Sequence, residues 1–289
     1  MRRGGKKSAN YSARAEAIDM VVALDLSGRI ALICGAGGGG IGAAASRMLA
    51  EAGADIVAVD RDQELVDATL AVVRGMGQRG FGIVADLRDP AQCARVVPEA
   101  RRLAGRIDLL ANIAGGMQAK QWGPVHGTPE TDYREVMALN VDYVFAICRD
   151  AAALMIEQGG GGAIVNISSI SALPSAPYHA PYGAAKAAVI ALSRSMAVEL
   201  GQFGIRVNVI APGRTDTERT RKLRGDATES HATAPLGRRV TSEEVAASIR
   251  FLLSDHASGI TGQVLTVDAG LTAQCMMGGL EVFEGRRSW

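Results

Sequence analysis

Short apolar runs alternate with longer amphipathic stretches along most of the 289-residue chain. Residues 29–34, 54–60, 80–85, 107–115, 163–167, 204–213 and 264–270 are apolar-rich runs, mostly too brief for helices, and together predict seven largely buried strands. Between them, 43–52, a segment opening near Pro90, 129–157, 181–201 and 241–253 read as helices. Along 129–157 the stripe is Tyr133, Met137, Asn140, Val144, Cys148 and Ala151, so a single amide interrupts an apolar face. Along 181–201 it is Ala185, Val189, Leu192, Met196 and Leu200, and Thr241 begins a helix cap ahead of the last apolar face. Strand followed by helix, repeated, predicts an α/β fold: a doubly wound, Rossmann-type parallel sheet of seven strands in one domain. Two glycine-rich stretches punctuate this pattern. The one at Gly159 to Gly162 precedes a strand and is a loop; the one at Gly35 to Gly42 joins a strand to a helix.

Composition narrows the function classes. A hydrophobic content of 48% is ample for a core, and 31 basic against 30 acidic residues give no charge-based reason to expect a nucleic-acid partner. No apolar run approaches the length of a membrane span. Cys34, Cys93, Cys148 and Cys275 form no C-x-x-C pair, which fits reduced thiols in the cytoplasm. His126, His179, His231 and His256 are equally scattered, so no catalytic metal is expected. Residues 1–24 are read as a basic, disordered extension and not a secretory signal, with Met20 an alternative start; 274–289 are a second extension.

The chemistry concentrates around residues 166–186. Tyr182 and Lys186 stand at i and i+4, so on a helix both side chains leave one face and the ammonium biases the phenol toward phenolate. A tyrosine of ordinary pKa, about 10, is a poor base at neutral pH without that help. Ser169 lies at the end of the preceding strand run, thirteen residues before Tyr182. At the other glycine stretch, Gly35-x-Gly37-x-x-Gly40 fits a dinucleotide fingerprint: glycines let a pyrophosphate approach the backbone, and the helix that follows offers free N–H groups. Asp60 ends the second strand run, where a carboxylate suits either the ribose hydroxyls of NAD or a plain turn.

Ser169, Tyr182-Gly-Ala-Ala-Lys186, Cys34-Gly-Ala-Gly-Gly-Gly-Gly-Ile-Gly42, Asn112-Ile-Ala-Gly115 and Pro212-Gly213 occur in the order and spacing of the short-chain dehydrogenase/reductase family, which the chain resembles from about 25 to 273. The resemblance implies a catalytic set of Asn140, Ser169, Tyr182 and Lys186. It also implies cofactor contacts from Gly35, Gly40, Ile41, Gly42, Asp60, Asp86, Leu87, Asn112, Ala114, Gly115, Tyr182, Lys186, Pro212, Gly213, Thr215 and Thr217. The glycine loop carries one residue more than the family pattern, and Cys34 replaces the usual threonine. Asp86 is read as an adenine acceptor, as the cap of the helix near Pro90, or both; Asn140 as bonding its own helix, as seating a water beside the lysine, or both. The charged stretch 214–238 sits where the family has its substrate lid.

The implied activity is interconversion of a secondary alcohol and a ketone with NAD(H), with no metal. Arg61, next to Asp60, keeps NADP and an NADPH-dependent carbonyl or 3-oxoacyl reductase open. A non-catalytic nucleotide sensor would not need the full Ser/Tyr/Lys/Asn set, and an epimerase of the longer branch needs a larger C-terminal domain. The expected partners are a small alcohol or ketone and further copies of the chain, a homotetramer by family resemblance.

Overall fold

The computed structural model describes residues 24–218, 220–221 and 234–274. The strands are β1 (Ile30–Cys34), β2 (Asp55–Asp60), β3 (Gly80–Val84), β4 (Leu109–Asn112), β5 (Gly162–Ile167), β6 (Ile205–Pro212) and β9 (Val264–Val267). All are parallel, in the order β3-β2-β1-β4-β5-β6-β9. The chain moves outward from β1 to β3 and then returns to lay β4 on the other side of β1, with Cys34 opposite Asn112. That reversal opens a crevice at the carboxyl ends of β1 and β4, the place where doubly wound sheets hold ligands.

Helices α1 (Ile41–Glu51), α2 (Gln63–Gly75), α3 (Pro90–Ala104), α4 (Glu130–Met137), α5 (Tyr143–Gln158), α6 (Ala180–Leu200) and α7 (Ser242–Leu253) cover both faces of the sheet. Because strand neighbours point oppositely, Ala31 and Ile33 pack with Leu49, Val66 and Ile249 on one side, and Leu32 and Cys34 with Val96, Ile147 and Val189 on the other. A strand buried on both faces must be apolar at successive positions, which is why β1 reads as an unbroken run.

One polar chain crosses the second layer. The Asn112 amide on β4 donates to Asn166 Oδ1 on β5 (2.8 Å) and to Cys148 Sγ (3.2 Å), and Asn166 Nδ2 donates to Ser193 Oγ on α6 (2.9 Å). Asn112, Asn166 and Ser193 are fully buried, so these bonds lock two central strands to the helix that carries Tyr182 and Lys186.

Several boundaries differ from the sequence pattern. The single helix expected over 129–157 is two, joined by a π-helical turn over Ala138–Asp142. Asn140 Nδ2 donates to Val136 O (2.8 Å), taking a carbonyl four residues back and accompanying a wider turn. Tyr133, counted in the apolar stripe, is exposed, because it lies on the helix before that turn. The β4 and β9 strands stop at Asn112 and Val267, short of the expected ends. Asp89, and not Asp86, caps α3, accepting from Ala91 N (2.9 Å). Two short strands, β7 (Thr215–Asp216) and β8 (Val240–Thr241), pair at either end of the expected lid. The N-terminal extension to 23, the lid residues Arg219, Lys222 and Arg224, His231, Cys275 and the tail after it lie outside the described residues.

Asn166→Ala would take from the Asn112 amide its oxygen acceptor and from the Ser193 hydroxyl its donor in a dry layer, leaving them only Cys148 Sγ and Val189 O. Urea unfolding is expected to show a loss of about 2–3 kcal/mol with an unchanged m-value. A change within about 0.5 kcal/mol would show that the chain does not bear on stability.

Candidate active site

Every sequence-predicted site residue lies at or beyond the carboxyl end of a strand, or on the helices that pack there. The β1 exit turns sharply at Gly35, with φ +87°, and a Cβ on Gly42 would lie 1.8 Å from the Gly35 carbonyl oxygen. Strand end and helix start are thus in backbone contact, which only glycine permits. The lengthened loop between them is drawn toward β2: Gly37 N donates to Asp60 Oδ2 (3.0 Å), while Arg61 N donates to Asp60 Oδ1 (2.8 Å). Gly40 caps α1 without a side chain, and the first turn from Ile41 holds no acidic residue. The positive end of that helix is therefore suited to an anion, as a pyrophosphate requires.

Along the crevice, Ala114 N donates to Cys34 O (2.9 Å), and the buried Tyr143 hydroxyl donates to Ala114 O (2.6 Å). The Asn112 side chain faces inward to the core chain, so what this residue offers the crevice is backbone. Both Asp86 oxygens accept from Arg88, whose hydrogen bonds hold the carboxyl below its usual range. Leu87 is buried, its carbonyl accepting from the Cys93 thiol (3.1 Å). On the far side, Pro212 ends β6, Gly213 N donates to Val267 O (2.9 Å), and Thr215 Oγ1 donates to Gly213 O (3.2 Å). The Thr217 and Thr220 hydroxyls pair (3.2 Å), and Glu218 N donates to Gly39 O (3.4 Å), so the start of the expected lid touches the glycine loop.

The catalytic candidates converge on one buried amine. Lys186 is 2% exposed, and its Nζ donates to Ile167 O at the end of β5 (2.9 Å) and lies 5.8 Å from the centroid of the Tyr182 ring. Burial pulls its pKa down from 10.5 to about 7. Ser168 Oγ donates to Lys186 O (2.7 Å), tying strand end to helix from the other side. Ser169 Oγ accepts from Ser171 N (3.1 Å) and opens a short 3-10 turn. Asn140 clasps Gly116, accepting from its N (2.9 Å) and donating to its O (2.9 Å). Between these heads sits Gly115, where a Cβ would lie 2.8 Å from Asn140 Oδ1 and 2.9 Å from Lys186 Nζ. Tyr182 packs against Met117, Val136 and Ala185.

Sequence reasoning missed Tyr143 and Gly116. Tyr143 had a usable signal, an aromatic hydroxyl three residues past the odd amide of an apolar stripe; Gly116 acts through its backbone and had none. Among the described residues no cluster suits a metal ion and no helix is long and apolar enough to cross a membrane.

A glycine-lined crevice at the strand reversal, ending on a buried lysine beneath a tyrosine, defines a dinucleotide-dependent oxidoreductase. Residues 35–272 match the family profile described as enoyl-(acyl carrier protein) reductase. A cis-4-hydroxycyclohexanecarboxylate dehydrogenase from Sinomonas cyclohexanicum is 38% identical, over 85% of this chain and 97% of its own. Among solved structures, a gluconate 5-dehydrogenase from Burkholderia cenocepacia J2315, in complex with NADP and tartrate, is 36% identical with a TM-score of 0.80, covering 87% of this chain and 98% of that one. Carveol dehydrogenase from Mycobacterium avium, in complex with NAD, is 27% identical with a TM-score of 0.80, covering 86% and 99%. The chain belongs to the short-chain dehydrogenase/reductase family.

The Lys186 amine gives a pH signature. Between the folded value of about 7 and the ordinary lysine value of 10.5 the unfolded chain binds a proton that the folded one does not, so folding gains stability as pH rises through that window. Lys186→Met removes this dependence. Its thermal stability relative to the native protein is expected to be greatest below pH 7 and to decline steadily toward alkaline pH; a difference flat with pH would contradict the depressed amine.

Proposed function

We propose that this chain interconverts a secondary alcohol and a ketone by hydride transfer with NAD(H). The observation that carries the reading is Lys186: a buried amine with no carboxylate bridging it among the described residues, held by one carbonyl at the foot of a tyrosine. A structural lysine would not be kept dry at such cost, so the position points to chemistry.

In the oxidative direction Tyr182 takes the hydroxyl proton and Ser169 hydrogen-bonds the substrate oxygen as its charge changes. Lys186 in its charged form favours the phenolate and binds the nicotinamide ribose. Asn140, fixed by Gly116 and Val136, supports a water that relays protons to Lys186. The nicotinamide, when bound, supplies the hydride acceptor or donor. Gly35, Gly40, Ile41 and Gly42 would hold its pyrophosphate, Asp60 the adenosine ribose, and Asp86 and Leu87 the adenine. The backbone of Asn112, Ala114 and Gly115 would run beside it, with Pro212, Gly213, Thr215 and Thr217 at the carboxamide edge.

Preference for NAD is supported by Asp60, whose carboxylate is aimed by Gly37 and Arg61 backbone donors and would repel a 2′-phosphate. Arg61 beside it supports the second reading, an NADPH-dependent carbonyl or 3-oxoacyl reductase. Residues 25–273 would be the catalytic domain, with 214–238 its lid. Phe145 and Ile156 on α5 and Val198 on α6 expose large apolar side chains that further copies would cover, in support of a homotetramer. The unpaired, buried Cys34, Cys93 and Cys148 suit the cytoplasm.

Tyr182→Phe tests the assignment. Fluorescence titration is expected to show native-like NADH affinity, tighter than NADPH, while turnover of secondary alcohols falls by about 10³-fold or more. Turnover within a few fold of native would overturn Tyr182 as the acid/base; tighter NADPH would favour the second reading.

A further inference from the structure

The lengthened glycine loop meets a carboxylate at each end. Gly37 N donates to Asp60 Oδ2 (3.0 Å), at the exit of the neighbouring strand. The second carboxylate arrives from far along the chain. Glu218 Oε2 lies 2.9 Å from where a Cβ on Gly39 would stand, and Glu218 N donates to Gly39 O (3.4 Å). Thr217 reaches the next residue, its Cγ2 3.9 Å from the Cβ position of Gly40. Gly40 is the cap of α1, so the Glu218 carboxylate stands one residue ahead of the helix start.

Local structure fixes the backbone from which Glu218 projects. Thr215 and Asp216 pair with Val240 and Thr241, and beyond them the chain closes a tight turn. Thr217 N donates to Thr220 Oγ1 (2.9 Å), Thr220 N donates to Thr217 Oγ1 (3.1 Å), and Thr220 Oγ1 also donates to Thr215 O (3.0 Å). Glu218 itself is exposed, so burial does not hold its side chain against the loop. The helix end supplies an electrostatic reason. Nothing acidic lies in the first turn of α1 and its cap has no side chain, which leaves a positive end that attracts an anion. Residues 37–40 are all glycine and place no side chain between that end and the carboxylate.

We infer that Glu218 is a tethered anion at the phosphate end of the crevice, one that opposes the pyrophosphate of an incoming dinucleotide and so weakens its binding. The inference rests on the dinucleotide reading and concerns how tightly the cofactor is held. A pyrophosphate seated on Gly40, Ile41 and Gly42 brings like charge beside the carboxylate, and the two repel. In the unliganded chain the same carboxylate offsets the helix end, so Glu218 stabilises the empty loop and disfavours the filled one. Its action falls on the phosphates and leaves the adenosine contacts alone. A looser hold speeds cofactor release, a step that limits turnover in many enzymes.

The test is calorimetric titration of the native full-length protein, Glu218→Gln and Glu218→Asp with ADP, NADH and adenosine. Glu218→Gln is expected to bind ADP and NADH about fivefold more tightly than native at low salt. That gain should shrink below about twofold in roughly 0.5 M sodium chloride, where screening is short-ranged. Adenosine carries no phosphate and should bind both proteins within about 1.5-fold, and Glu218→Asp, which keeps the charge, should hold ADP within about twofold of native. Unchanged or weaker ADP binding by Glu218→Gln, or an equal gain for adenosine, overturns the tethered anion while native binding of NADH leaves the dinucleotide reading standing. Failure of the native protein to bind either ADP or NADH overturns the dinucleotide reading and this inference together.

Discussion

An amine kept out of water is the constraint around which this structure is arranged. Lys186 can be dry only because Ile167 O accepts a hydrogen bond from its Nζ and because nothing larger than hydrogen occupies the Gly115 position beside it. The adjoining Gly116 is in turn fixed by Asn140, which reaches it from a π-helical turn and not from a regular helix. Asn112, Asn166 and Ser193 then hold β4, β5 and α6 together within the core. Each of these polar groups would destabilise the fold if left alone. Together they fix the distance between the strand ends and α6, as proximity catalysis would require of the proposed site.

The same arrangement separates tasks along the crevice. On the β2 side, backbone N–H groups, an open helix end and Asp60 suit the charged and hydroxylated parts of a dinucleotide. On the β5 side, Ser169, Tyr182 and Lys186 suit a single proton and a single oxygen. Loops supported by a rigid sheet are where specificity can change without disturbing the chemistry beneath.

Much of this was legible in the sequence because its physical signals are local. Two-sided burial makes β1 and β6 continuous apolar runs, a backbone contact demands glycine at 42, and helical spacing puts Tyr182 and Lys186 on one face. What the pattern could not show depends on which partners the folded chain gives each polar side chain. Arg88 claims the Asp86 carboxylate, leaving Asp89 to cap α3. Asn140 marked an interruption in its stripe, but the backbone it clasps, Gly116, lies twenty-four residues earlier. The path of the lengthened glycine loop follows from Gly37 bonding Asp60 across the strand end.

The most direct test of the central claim is to follow the hydrogen itself. With cyclohexanol deuterated at the carbinol carbon and NAD as oxidant, NMR of the reduced cofactor should show one deuterium at nicotinamide C4, on a single face, with none lost to water. Deuterium released to solvent, or distributed over both faces, would contradict direct hydride transfer in a site organised by Lys186.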